Sequence, residues 1–413
     1  PERRQAGRTS DRMSLHEALG GHRNSLGLLR LLFAAAVIVD HAFPLGGWGT
    51  APFLRYTDEQ QSLGGLAVIG FFAISGYLIT KSGMNADVVQ FMWRRFLRIF
   101  PAFWAVLLFG AFVVGPIVWV AEGNALGDYL SWGPGGPIAY VTSNWTLTIG
   151  QWGIHDIYLE TTPYWGGAIN GSIWTLVYEW GCYLVIAGLV AFGVLKRAKI
   201  VVPFIAGFLF IAQVLTLLEP GSAAGMFPSF GDPWRINFGL VFFIGATIGV
   251  FADRIPFDDR LGALSGIASV VLLRFGGFNS VGYLAVTYFI LYLAARLPKA
   301  FQRVGAKNDY SYGVYLYGWV VQQVLAFVGV NGAGYVPYVL ASLAAAGALA
   351  WLSWHGVEKQ ALKLKDWGPG RGWRYWWDRV RALPARGTER QADAQPPTAV
   401  DRPAVPEPER PAG

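Results

Sequence analysis

The feature that most constrains this chain is how far it runs without a charge. Residues 310–354 contain no Asp, Glu, Lys, Arg or His. A helix crossing a bilayer needs about 20 mostly apolar residues. This stretch is therefore long enough for two spans, broken at Asn331-Gly332-Ala333-Gly334. Segments 63–80, 99–121, 200–218, 236–252 and 275–295 each supply another uncharged span, and 172–195 supplies one whose single charge is Glu179. Two weaker spans complete the pattern: 261–273, which is short and ends at Arg274, and 28–48, which is interrupted by Arg30, Asp40 and His41. The expectation is an all-α membrane protein of about ten transmembrane helices.

Composition excludes the soluble alternative. Of 413 residues 54% are apolar and 14% charged, against about 25% charged in an ordinary globular domain. Surface-to-volume scaling would not let a soluble chain of this size hide so much apolar surface. The balance of 33 basic and 26 acidic residues, 33 − 26 = +7, carries no nucleic-acid reading, because its meaning lies in placement. With the N-terminus in the cytoplasm, the outer loops hold only Arg55, Arg235 and Arg274, leaving 33 − 3 = 30 basic residues at inner positions. By the positive-inside rule both termini are cytoplasmic. Cys182 is the only cysteine, so neither a disulfide nor a cysteine metal site forms within one chain.

The expected organisation is an N-terminal cytoplasmic tail (1–27), a transmembrane domain (28–365), an interfacial basic and aromatic segment (366–383), and a disordered proline-rich tail (384–413). The outer loop at 122–171 carries Trp132, Trp145, Trp152 and Trp165. A structureless loop of that length is unusual, so a lid or a re-entrant element is expected there.

Ionisable groups inside a membrane helix are costly and face a cavity or a partner. Arg30 and His41 are eleven residues apart, so on a helix they share one face about 16 Å apart along the axis. Glu179 lies seven residues into its span, about 10 Å below the outer edge and near the depth of His41. A carboxylate there could orient the imidazole, or the two could be structural partners in a helix bundle. Asp40 points about 100° away from His41 and could cap, pair with a neighbouring helix or face the outer vestibule. His16, His22, His155 and His355 are weaker candidates, lying in a tail, a loop or at a membrane edge. Arg94, Arg95 and Arg98 precede Ile99-Phe100-Pro101 in the first inner loop. Arg95 and Arg98 share a helical face and could grip phosphate oxygens, or the cluster could simply anchor the inner membrane edge.

The order of motifs resembles the acyltransferase-3 family of multi-pass membrane O-acyltransferases. The matching runs are Arg30-x10-His41, Gly70-Phe71-Phe72-Ala73-Ile74-Ser75-Gly76-Tyr77-Leu78-Ile79-Thr80, Arg94-Arg95-Phe96-Leu97-Arg98-Ile99-Phe100-Pro101, Asn170-Gly171-Ser172-Ile173-Trp174-Thr175-Leu176-Val177-Tyr178-Glu179, and Asp309-Tyr310-Ser311-Tyr312-Gly313-Val314-Tyr315-Leu316-Tyr317. The resemblance spans residues 28–365 and implies transfer of an acyl group, often acetyl, from cytosolic acyl-CoA to a hydroxyl beyond the membrane. It makes His41 the catalytic histidine with Arg30 as its motif partner and Glu179 as the acidic member of the site. It assigns Arg95 and Arg98, with Arg94 beside them, to the donor. Ser75, Trp174, Tyr178 and Tyr315, which lie within these motifs, are expected to line the substrate cavity.

No tightly bound cofactor and no metal is implied, and acyl-CoA enters as a donor substrate. The implied acceptor is a carbohydrate or glycolipid of the cell envelope, with a secreted small molecule such as a macrolide as the alternative, and the implied location is the cell membrane. Many relatives carry a second histidine after the Tyr-Leu-aromatic run, whereas this chain reads Gly318-Trp319-Val320-Val321 there. Some relatives also carry an appended extracytoplasmic hydrolase-like domain, which is not expected here. A thioester is already activated, so the chemistry asks for a base near neutrality and for two substrates brought together. Direct transfer and an acyl relay through His41 both satisfy it. The rival class is a secondary transporter, which also buries His, Glu and Arg at mid-membrane but commonly within repeated halves; no repeat is evident.

Overall fold

The computed structural model describes residues 13–21, 24–160 and 167–382. Among them every regular element is helical, with one isolated bridge between Ser14 and Pro256. In chain order the long helices are α1 (Leu26–Leu45), α2 (Leu63–Met84), α3 (Val88–Ala121), α4 (Ile173–Ala191), α5 (Val201–Leu218), α6 (Pro233–Val250), α7 (Asp259–Phe275), α8 (Phe278–Arg296), α9 (Ser311–Phe327) and α10 (Tyr335–Asp366). Eight of these are long and apolar enough to cross a membrane, and the chain is a multi-pass membrane protein. The other two, α7 and α9, have 17 residues each, the lower end of the spanning range.

Two helices are longer than their apolar cores. The side chain of Asp87 caps the start of α3 by accepting from Gln90 N, so α3 begins well before residue 99. Arg94, Arg95 and Arg98 consequently sit on the helix itself rather than in a loop. Further along, Pro116 lacks the N–H that would close the turn on Phe112, and the backbone widens into a π-turn over Gly110–Val114. At the other end of the chain, α10 continues past Trp354 through a second π-turn, Trp354–Glu358, and carries Glu358 into the bundle. The break expected at residues 331–334 is present as the short turn Val330–Ala333, flanked by Gly329 and Gly334 at positive φ.

Helix α2 is the centre of the bundle. It meets α6 along a seam of small residues that lets the two backbones touch. A Cβ on Gly76 would lie 1.9 Å from the Phe242 carbonyl oxygen, and one on Gly245 would lie 2.3 Å from that of Ala73. Helix α1 packs between α2 and α9, where Gln322 Nε2 donates to the Ile38 carbonyl at 2.8 Å.

The described residues of the loop at 122–171 are folded. They contain the short helix Pro137–Asn144 and bury Tyr129, Tyr140, Ile154, Ile157 and Tyr158. Trp145 stacks on Trp104 at 4.4 Å, Trp152 packs with Leu45, Ala168 and Trp319, and Trp132 is exposed; Trp165 lies outside the described residues.

The return strand of chain at 168–172 enters the bundle as irregular backbone. Trp319 Nε1 and Gln323 Nε2 both donate to the Ala168 carbonyl at 3.0 Å. Asn170 Nδ2 donates to the Leu316 carbonyl at 2.8 Å, and Tyr315 OH donates to the Ser172 carbonyl at 2.6 Å. These partners descend α9 from Gln323 to Tyr315, about 12 Å along its axis. Non-helical backbone at membrane depth is tolerated only where protein satisfies it, and here α9 does so. Gly171 is required at this point, because the Trp319 ring lies 2.5 Å from where its Cβ would be.

Beyond α10, Trp373–Ala382 is a short helix with Trp373, Trp376 and Trp377 exposed. Leu383 and the tail at 384–413 lie outside the described residues. In the N-terminal segment, Leu15 is buried and its N–H donates to the Ile255 carbonyl at 2.8 Å. That part of the segment packs against the bundle.

Candidate active site

The deep start of α4 decides where Glu179 sits. Its Oε1 accepts from Ser75 Oγ on α2 at 2.9 Å and from Tyr183 OH one turn along α4. Ser75 is 12 residues into α2, so this carboxylate lies about 18 Å from the end of α2 that carries Ser62. His41, by contrast, is four residues from the end of α1 on that same side. The equal depth expected for the two residues therefore does not hold, because 168–172 carries the chain well into the bundle before α4 begins.

Ser75 and Glu179 line a narrow cavity of about 40 Å³ together with Arg30, Phe71, Tyr312 and Tyr315, room for a few water molecules. Thr175 faces it as well. The one proton of Tyr315 is committed to the Ser172 carbonyl, so the 2.6 Å contact between Thr175 Oγ1 and Tyr315 OH has threonine as the donor. Thr175 and Glu179 share one face of α4; Trp174 and Tyr178 share the next, about 100° round. Trp174 accordingly packs on Trp234 and Phe238, and Tyr178 OH donates to Asp232 at 2.8 Å. Of the four residues expected at the cavity, Ser75 and Tyr315 line it, while Trp174 and Tyr178 face α6.

At the far end of the same cavity lies a charge cluster. Arg30 Nη1 and Arg98 Nη2 both bind Asp309 Oδ2, at 2.6 and 2.5 Å. The other oxygen, Oδ1, accepts from Ser311 N at 3.2 Å and Ser311 Oγ at 2.5 Å, closing the first turn of α9. Glu358 on α10 lies 3.8 Å from Arg98 and is almost fully buried. Burial raises the Asp309 carboxyl, and the guanidinium groups of Arg30 and Arg98 more than reverse this, holding it well below the usual carboxylate range.

The three arginines of α3 thus part company. Arg98 is bound within the cluster, and Arg94 pairs with Asp366 at 2.9 Å on the surface. Arg95 has no carboxylate partner among the described residues. Its Nε is buried without a hydrogen bond, and its guanidinium is within range of the Glu179 charge.

His41 is half-buried near the opposite end of α1, with its ring edge-on to Trp319 at 4.9 Å and 79°. Its imidazole makes no hydrogen bond among the described residues. Its neighbour Asp40 accepts from Ser62 Oγ at 2.7 Å and so pairs with the start of α2. The site therefore has two poles on one face of α1. His41 marks one, and the Arg30, Ser75 and Glu179 cavity marks the other.

No motif spacing along the chain assigns a role to Asp309 or Glu358. The available signal is that Asp309 is the only acidic residue between Asp259 and Glu358 and stands directly before the long uncharged stretch. Tyr183 gives no such signal among the chain's 18 tyrosines.

Polar groups gathered inside an apolar helix bundle, with a histidine and a carboxylate at separate levels, mark a candidate functional site. Residues 23–355 match the family model described as an acyltransferase domain, and the chain belongs to that acyltransferase-3 family. It is 30% identical to an O-acetyl transferase of Shigella phage Sf6 over 82% of this chain and 96% of the relative. It is 27% identical to nodulation protein 10 of Rhizobium leguminosarum bv. viciae, over 85% and 96% respectively. No solved structure matches. The protein is a multi-pass membrane O-acyltransferase.

Proposed function

We propose that this enzyme moves an acyl group, acetyl by preference, from cytosolic acyl-CoA to a hydroxyl of an extracytoplasmic carbohydrate or glycolipid. In this reading all ten long helices cross the cell membrane, with both termini and the charge cluster on the cytosolic side. The observation that carries the proposal is that Arg30, Ser75 and Glu179 line one buried cavity while His41 stands on the same helix as Arg30, eleven residues toward the opposite side. Ionisable groups so placed in a membrane bundle are retained for function. The choice of acetyl takes support from the O-acetyl transferase relative.

His41 acts as general base: it takes the proton of the acceptor hydroxyl as that oxygen attacks the thioester carbonyl. The carbon–sulfur bond breaks, and the proton passes from the imidazolium to the departing thiolate. Arg30, Arg95 and the Ser75–Glu179 pair define the donor's side of the cavity. Holding both substrates in one frame supplies the positional part of the rate. The test is purified protein in liposomes with labelled acetyl-CoA on one side, following thiol release and label transfer to envelope extract. Release that requires His41 and donor on the Arg95 side is the expected result. No release with acetyl, succinyl or longer donors would overturn the proposal.

A further inference from the structure

The same bundle end carries a second and larger concavity, separate from the Ser75–Glu179 cavity. It is about 540 Å³ and lies between the end of α2, the start of α3, the end of α4 and the helix Trp373–Ala382. Lys196, Arg197 and Arg374 line it, and none of the three pairs with a carboxylate among the described residues. The one acid at its wall is Asp87, and both of its oxygens are committed. Oδ1 accepts from Gln90 N at 2.9 Å and Oδ2 from Trp373 N at 3.1 Å.

Asp87 thereby docks the Trp373–Ala382 helix onto α3, and Gln90 Nε2 adds a bond to the Gly370 carbonyl at 3.0 Å. This docking brings Arg374 to the wall of the recess that Lys196 and Arg197 also line. Anchoring at a membrane edge accounts for basic residues there. It does not account for three cations without a carboxylate partner among the described residues, drawn from two distant segments, lining one recess with a single acid, Asp87.

The recess also lies on the line of the reaction cavity. Glu179 and Val190, which lines the recess, are eleven residues apart on α4, hence on one face and about 16 Å apart. Meanwhile the α3 arginine Arg98 is already spent on Asp309 and Glu358.

We propose that this recess binds phosphate groups, with Lys196, Arg197 and Arg374 as the binding cations. Two ligands at this interface carry that chemistry: the nucleotide end of the acyl-CoA donor and the headgroup of an anionic phospholipid. The nucleotide arm rests on the donor side proposed above; the site itself does not.

The test is equilibrium binding to the purified full chain in detergent at low salt, with adenosine 3′,5′-bisphosphate in one arm and short-chain phosphatidylglycerol in the other. Wild type is expected to bind at least one probe. The variant Lys196→Gln/Arg197→Gln/Arg374→Gln is expected to bind it at least tenfold more weakly, with unchanged thermal stability. Arg374→Gln alone, at an exposed position, should give about a threefold loss and guards against a misfolded triple variant. Loss confined to the bisphosphate assigns the recess to the donor, and loss confined to the lipid assigns it to the headgroup. Equal binding of both probes by wild type and variants, or no binding of either by wild type, overturns the proposal. The readout needs no turnover, so a failure of acyl transfer leaves it interpretable.

Discussion

Arg30 and Asp309, 279 positions apart in the chain, meet at 2.6 Å, and Arg98 closes on the same carboxylate oxygen at 2.5 Å. One acid thus sets the positions of two arginines from two helices. Asp309→Asn is expected to leave two guanidinium groups short of charge, at a cost toward the lower end of about 3–5 kcal/mol, with at least a tenfold loss of kcat/KM. Asp309→Glu should recover part of both. Because the folded-state carboxyl lies below its usual value, the contribution is complete above about pH 4 and is lost as pH falls through the lower folded value. Thermal stability against pH, wild type beside Asp309→Asn, checks this: the variant should lack the steepest part of the acid decline.

Glu179 is the acceptor for both Ser75 and Tyr183. Glu179→Gln should cut kcat by at least tenfold without loss of expression. Ser75→Ala and Glu179→Gln should be strongly non-additive, since each removes the same bond. Additive losses in the liposome assay would dissociate the pair.

His41→Ala should lower turnover by about 10²–10⁴-fold, the range for loss of a general base, while leaving donor binding within twofold. A variant that retains more than a tenth of wild-type thiol release would remove His41 from the chemistry.

The arginines of α3 should separate in kinetics as they do in space. Arg95→Ala is expected to raise the donor KM at least tenfold. Arg94→Ala breaks only the exposed pair with Asp366 and should change kcat/KM by less than twofold, in keeping with the small worth of surface ion pairs. Equal effects would return both to a common anchoring role.

Gly76→Leu should fail to fold, because a Cβ at 1.9 Å from the Phe242 oxygen forces α2 and α6 apart. Gly181 has nothing near its Cβ position, and Gly181→Ala should express and elute as wild type in detergent. A monodisperse Gly76→Leu protein would show that the seam yields.

Much of this was legible along the chain. Long uncharged stretches separate membrane helices from loops because each residue's transfer into lipid is a local property. The positions of Arg30 and His41 on one helical face follow from 3.6 residues per turn alone. Ser75, Glu179 and Tyr315 stand within motifs readable along the chain, and the structure lines one cavity with them. Only the tertiary structure decided the depth of Glu179 and the fates of Arg94, Arg95 and Arg98. Glu179 is deep because α9 hydrogen-bonds the irregular chain at 168–172 inside the bundle. The arginines diverge because their acids, Asp309, Glu358 and Asp366, arrive from the end of the chain. Local spacing determines which face of a helix a side chain occupies. Which partner meets that face depends on contacts between residues hundreds of positions apart, and no periodicity encodes those.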